Sequence, residues 1–173
     1  LLLILMKSKL LLPILIIVSI GASYSQEDES LNNPSCFSDV ERLEQLNTIP
    51  AALDSIWMNA YKTTEFLQAG DARFKHADSV LNVIYSEIMS SLDCLKGSQH
   101  WDHGLVDKIE QSLKEAQRAW IIQRDKEAEF VQLSARGGTI GNQWYLGEVF
   151  SATMKRNAEL IEFLEHLEWV DTF

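Results

Sequence analysis

From Val40 onward the apolar positions recur every three or four residues, and no useful stretch alternates with a period of two. That spacing places apolar side chains on one face of a helix. Ser38 followed by Glu41 is a capping-box pair that opens a short helix through Val40, Leu43 and Leu46, ending between Asn47 and Pro50. Pro50 suits the first turn of a second helix carrying Ile56, Trp57, Tyr61, Phe66 and Leu67, with Gly70 as its stop. A third helix is predicted from about Asp71, with Phe74, Ala77, Leu81, Ile84, Tyr85, Ile88, Leu92 and Leu95 in one stripe, closed by the loop Gly97 to Gly104. The fourth runs from about Leu105 to Ala135 on Ile109, Leu113, Ala116, Trp120 and Ile121, and Gly137-Gly138 breaks it. The last carries Trp144, Val149, Phe150, Thr153, Leu160, Ile161, Leu164 and Leu167. The predicted class is all-α, an antiparallel helical bundle of three long helices with one or two shorter N-terminal helices.

The start of the chain has a different pattern. Met6-Lys7-Ser8-Lys9, an apolar run from Leu10 to Ile20, and small residues up to Ser23-Tyr24-Ser25 have the three parts of a secretory signal peptide. The apolar run is about half the ~20 residues that a membrane-spanning helix needs. Residues 1–25 are therefore read as a signal peptide cleaved between Ser25 and Gln26, with residues 1–5 an upstream extension before Met6. The alternative is an uncleaved N-terminal anchor. No cysteine stands at the cleavage site to carry a lipid anchor. Residues 26–36 form a polar, acidic leader, and residues 37–173 a single helical domain with no internal repeat. The expected location is the periplasm or outside the cell, with no transmembrane segment in the mature chain.

Charge changes the picture once that division is made. The whole chain has 15 basic and 25 acidic residues, net −10, but both lysines of the first 25 residues lie before any acid. The remaining 148 residues hold 13 basic and 25 acidic side chains, net −12. A surface of that sign repels phosphate, and no basic patch interrupts it, so nucleic acid is excluded as a partner. It favours a basic partner, drawn in by electrostatic steering. Export also changes how Cys36 and Cys94 are read: in an oxidising compartment two lone cysteines are a candidate disulfide, with free thiols the alternative.

Chemistry is sparse. His100, Asp102 and His103 share a loop, but their spacing is no known zinc pattern and no further His or Cys completes a shell, so no metal is expected. The acidic residues scatter over helix faces, and no nucleophile-elbow, zincin, phosphate-loop or dinucleotide signature occurs. No catalytic residue and no cofactor are expected.

One ordered set of motifs is more specific. Asp78-x-x-Leu81-Asn82-x-x-Tyr85 is followed by Leu113-x-x-Ala116-Gln117-x-x-Trp120-x-x-x-Arg124-Asp125, then Gly137-Gly138-Thr139, then Thr153-x-x-Arg156-x-x-Glu159-Leu160. This order resembles the LprI-type lysozyme-inhibitor family of exported bacterial proteins, over roughly Asp71 to Leu160. The resemblance implies a small secreted helical domain that binds lysozyme and is not an enzyme. Family members usually carry two cysteines whose places fall at or near Ala128 and Glu148 here, so this chain lacks that pair. On the residues themselves, Leu81, Tyr85, Trp120 and Leu160 belong to apolar stripes. Asn82, Gln117, Arg124, Asp125 and Arg156 are expected to face one another across helices as a polar network that fixes the register of the bundle. Recognition would then fall to loops such as Gly97 to Gly104 and Arg136 to Gly141. The partner implied is a basic lysozyme; the alternative is an envelope protein bound by a helical interaction module with no lysozyme activity.

Overall fold

A computed structural model describes residues 36, 37, 39–136 and 138–172. The signal peptide with its cleavage site, the leader up to residue 35, Ser38 and Gly137 lie outside the described residues. Among the described residues the chain is all-α, with helices α1 (Val40–Leu46), α2 (Ala51–Met58), α3 (Thr63–Lys96), α4 (His103–Ser134) and α5 (Gly138–Asp171).

Three boundaries differ from the sequence reading, one of them at the expected loop Arg136 to Gly141, whose residues from Gly138 on belong to α5. The second helix does not run to Gly70: α2 ends at Met58, where the Asn59 backbone N–H donates to the Ser55 carbonyl at 3.1 Å and the Ala60 N–H to the Trp57 carbonyl at 3.3 Å. α3 then begins at Thr63 and passes through Gly70 without a break. The Glu65 carboxylate accepts from the backbone N–H groups of Tyr61 at 2.9 Å and Lys62 at 3.1 Å, covering donors that a helix start leaves orphaned. Those two bonds hold its pKa below the ordinary carboxylate value. Gly70 serves a different purpose, since a Cβ there would stand 3.3 Å from the Leu146 side chain and 3.4 Å from Trp57. It is a close-approach position between α3, α5 and α2. Tyr61, assigned to the apolar stripe, is 90% exposed in the link between helices. The third difference is at α1, where Asp39 is the N-cap and its carboxylate accepts from the Arg42 N–H at 3.1 Å.

The three long helices run up, down, up. α5 packs along both α3 and α4, while α3 and α4 meet less extensively. The cross-links show the register. Asn157 reaches the Ala77 carbonyl while Phe150 lies against Arg73, so α5 runs parallel to α3. Gln132 bonds Asn142 and Gln117 bonds Arg156, so α5 runs antiparallel to α4. α1 lies across α3 and α5: Cys36 is joined to Cys94, Arg42 pairs with Glu87, the Thr48 carbonyl meets the His76 ring, and Asn47 donates to the Met154 carbonyl. α2 packs on α3, with Trp57 edge-on to Phe66 at 5.5 Å.

The main apolar core occupies one end of the bundle. Ile84, Ile88, Leu92 and Leu95 of α3, Val106 and Leu113 of α4, and Leu160, Ile161, Leu164 and Leu167 of α5 meet there, with Leu43 of α1 closing one side. At that end the Trp101 indole N–H donates to Asp171 at 2.6 Å, tying the loop before α4 to the end of α5. Lys96, at the end of α3, pairs with Asp107 and Glu110 on α4, and Lys114 also bonds Glu110. The Lys114 and Lys96 ammonium groups together hold the Glu110 carboxyl down at about 2, and the two carboxylates push the Lys96 pKa up. No helix among the described residues is long and apolar enough to cross a membrane.

Candidate functional site

The other half of the bundle is held together differently. Beyond Leu113 and Leu160 polar side chains join Ala128 and Val149 at the positions facing inward: Gln117 and Arg124 on α4, Thr153 and Asn157 on α5 are all buried. A buried polar group is costly unless its hydrogen bonds are made. Arg124 meets that demand by spanning three helices. Its guanidinium donates to Asp125 at 2.9 Å, to Thr153 Oγ1 on α5 at 3.3 Å and to Asp78 on α3 at 3.4 Å. Thr153 in turn donates to the Val149 carbonyl, and Asn157 Nδ2 donates to the Ala77 carbonyl at 3.1 Å. Arg156 donates through Nε to Gln117 Oε1 at 3.0 Å and through Nη1 to Glu159 at 3.1 Å.

Aromatic rings separate the guanidinium groups. Arg124 lies 5.3 Å from the Phe74 ring and 5.1 Å from the Trp120 ring, and Arg156 lies 5.7 Å from Trp120. One step further along α3, Arg73 sits between Trp57 at 5.1 Å and Phe150 at 4.5 Å, with Asp54 at 3.6 Å. Planar, weakly hydrated guanidinium groups suit such stacking, and each contact adds attraction from the ring quadrupole. The result is a polar seam along the α3, α4 and α5 contacts, in which cations and rings take the place of leucines.

The motif residues divide around this seam. Leu81 and Leu160 are buried in the apolar core, and Tyr85 and Trp120 pack against it. Asp78, Gln117, Arg124, Asp125, Thr153 and Arg156 come together in the seam. Asn82 does not join it. Its side chain is exposed and donates to the carbonyl of Asp78 one turn back. Ala116 is also exposed, on the rim of a shallow groove of about 420 Å³ with Ile109, Leu113 and Phe163. Gly138 opens α5 at φ +73°, a conformation that glycine adopts without steric cost, after Arg136 at φ +60°. Cys36 and Cys94 are bonded to each other with their Cα atoms 5.5 Å apart, within the span such a bond requires. Ala128 is buried and Glu148 half-buried.

Outside the seam, α4 and α5 leave a groove of about 350 Å³ lined by Trp120, Arg124, Glu127, Glu148, Lys155 and Arg156 among others. Arg73, Phe74, Asn157 and Glu127 were not singled out from the sequence as site residues. Asn157 carried a signal: it stands four residues after Thr153 and three before Leu160, at core spacing. Arg73 carried none, because a lone arginine on a helix reads as solvated. His100, Asp102 and His103 do not assemble: Asp102 caps α4 by accepting from the Leu105 N–H at 2.8 Å. Among the described residues no group of three or more His, Cys, Asp or Glu could hold a metal.

Fold and seam together define the class: a small all-α domain whose three long helices are pinned to one another by buried polar contacts. The family model described as lysozyme inhibitor LprI matches residues 58–160, more than half of the chain and all four motif blocks, and the chain belongs to that family. An uncharacterized protein of Rhizobium meliloti (strain 1021) is 34% identical over 99 residues, which cover 57% of this chain and 70% of that protein. No solved structure matches this chain.

Proposed function

We propose that this is an exported, non-enzymatic protein that binds a basic lysozyme and blocks its cleft. The observation that carries the reading is the family match over residues 58–160. The distribution of charge supports it. The last fourteen residues hold Glu162, Glu165, Glu168 and Asp171 and no lysine or arginine. Glu41 and Glu44 on α1, which packs on α5, and Asp93 near the end of α3 are exposed at the same end of the bundle. A glycosidase of the lysozyme type works through two carboxyl groups flanking the scissile bond in a cleft, and a folded domain seated over that cleft excludes the polymer. Acidic residues at one end raise the rate of encounter with a basic enzyme more than they raise affinity. The seam, in this reading, is architectural: it sets the register that presents the recognition surface. Export follows from the signal-peptide pattern of residues 1–25, cleaved after Ser25.

The test is lysis of a bacterial suspension by a basic lysozyme, with and without purified residues 26–173. Lysis falls as the protein is added. Undiminished lysis at micromolar excess, across several lysozyme types, removes the proposal.

A second reading rests on the outer face of α4. Ile122, Phe130 and Leu133 recur at helical spacing there and are 65%, 73% and 66% exposed. They suit a helical module that binds another envelope protein and never meets lysozyme. Capture of envelope proteins, abolished by Phe130→Glu and accompanied by no lysozyme binding, favours that reading.

A further inference from the structure

α1 is a seven-residue helix, far below the length at which a helix holds by itself in water. It buries one side chain fully, Leu43, with Val40 and Phe37 partly covered. Among its polar ties to the rest of the domain are Arg42 to Glu87 at 3.8 Å, Asn47 Nδ2 to the Met154 carbonyl at 3.4 Å, and the Thr48 carbonyl to the His76 ring at 2.9 Å. Two of these three lie at its C-terminal end, next to the link into α2. Its N-terminal end is held by the Cys36–Cys94 bond, which makes docking an intramolecular event at high effective concentration. The long helices have their own means of staying together: Ile84, Ile88, Leu92 and Leu95 of α3 pack with residues of α4 and α5, and the polar seam joins all three at the other end. Cys94 occupies an exposed position of α3.

We propose that the Cys36–Cys94 bond makes α1 a redox-released strap, which undocks from α3 and α5 when an external dithiol reduces it while the three long helices stay folded. A thiolate of the dithiol attacks the Cys94 sulfur, the Sγ–Sγ bond breaks, and Cys36 leaves as a thiolate and takes up a proton. The second thiol of the dithiol then displaces Cys94, giving two protein thiols and one oxidised dithiol, a two-electron exchange. Once free, the strap gives up the seat of Leu43 and uncovers the apolar surface beneath it. It also carries Glu41 and Glu44 away from the acidic end. This inference stands independently of the lysozyme reading.

Hydrogen exchange read by mass spectrometry tests it on the purified protein, oxidised, then reduced with dithiothreitol, then reoxidised. On reduction, amides of residues 40–46 exchange about ten-fold faster or more, while those of 80–95 and 156–167 change by less than about two-fold, and reoxidation restores the first pattern. The double variant Cys36→Ser/Cys94→Ser reproduces the reduced pattern without reductant; should it fail to fold, reduction of the native protein decides alone. Unchanged protection of 40–46 after complete reduction overturns the strap. Simultaneous loss of protection in all three segments also overturns it, because the bond would then be a staple for the whole domain.

Discussion

The same three helices are joined by unlike means at their two ends. At the end where α3 leads into the loop before α4, residues such as Ile84, Ile88, Leu92 and Leu164 meet in an apolar core covered by Leu43. At the other end Arg124 reaches three helices, and Trp57, Phe74, Trp120 and Phe150 pack against guanidinium groups. Burial of hydrocarbon is non-directional and tolerates exchange among side chains of similar volume. A network of directed donors does not, because each donor has one set of acceptors at one register. On that ground we propose that the apolar end supplies most of the cohesion and that the seam sets how the helices are aligned along their length.

Substitutions at the two ends separate these roles. Leu164→Ala, at a fully buried core position, is expected to cost about 2–5 kcal/mol in urea or guanidinium unfolding. Arg124→Ala is expected to cost about 1–3 kcal/mol, below the loss for a fully enclosed ion pair because Asp78 and Asp125 are about half exposed. Arg124→Lys recovers little of that loss, since one ammonium cannot reproduce the planar fork shared among Asp78, Asp125 and Thr153. If Arg124→Met proves as stable as the native protein, the seam contributes nothing beyond packing. Gly141→Ala comes next, at about 1–2 kcal/mol, because its Cβ would stand 2.7 Å from the backbone carbonyl of Gln132 where α5 leaves α4.

The smallest effect belongs to Glu110. Its carboxyl is held at about 2 in the folded chain, below its ordinary value of 4.5, first by Lys114 and then by Lys96. A depressed carboxyl contributes stability that is present above the unfolded pKa and is lost as pH falls through the folded one. The unfolding midpoint of the native protein should thus exceed that of Glu110→Gln at neutral pH, and the gap should close between about pH 4.5 and about pH 2. A gap that stays constant over that range removes the assignment.

The fold class and the long helices were legible because stripes such as Leu81, Ile84, Ile88, Leu92 and Leu95 keep one period throughout. The break near Gly70 was misplaced because a glycine inside a helix and a glycine that ends one look alike in sequence. Only the approach of Leu146 and Trp57 tells them apart. Of the candidate seam, Gln117, Arg124, Asp125 and Arg156 were visible through their motif, whereas Asn82 proved to bond only its own helix. Arg73 was invisible, since its two rings come from Trp57 on α2 and Phe150 on α5, and no pattern along one helix reports what faces it from another. On α5 the apolar residues are spread around the helix rather than gathered on one face, as suits a helix packed along two neighbours that buries residues over a wide arc.

Under the proposed function that alignment presents the recognition surface, and the most direct measurement is equilibrium binding of a basic lysozyme to the purified protein at low and at raised salt. The account predicts saturable binding at micromolar concentration or below, weakened by salt and weakened further by Glu162→Lys combined with Glu165→Lys. No binding at low salt to a folded, oxidised protein would contradict it.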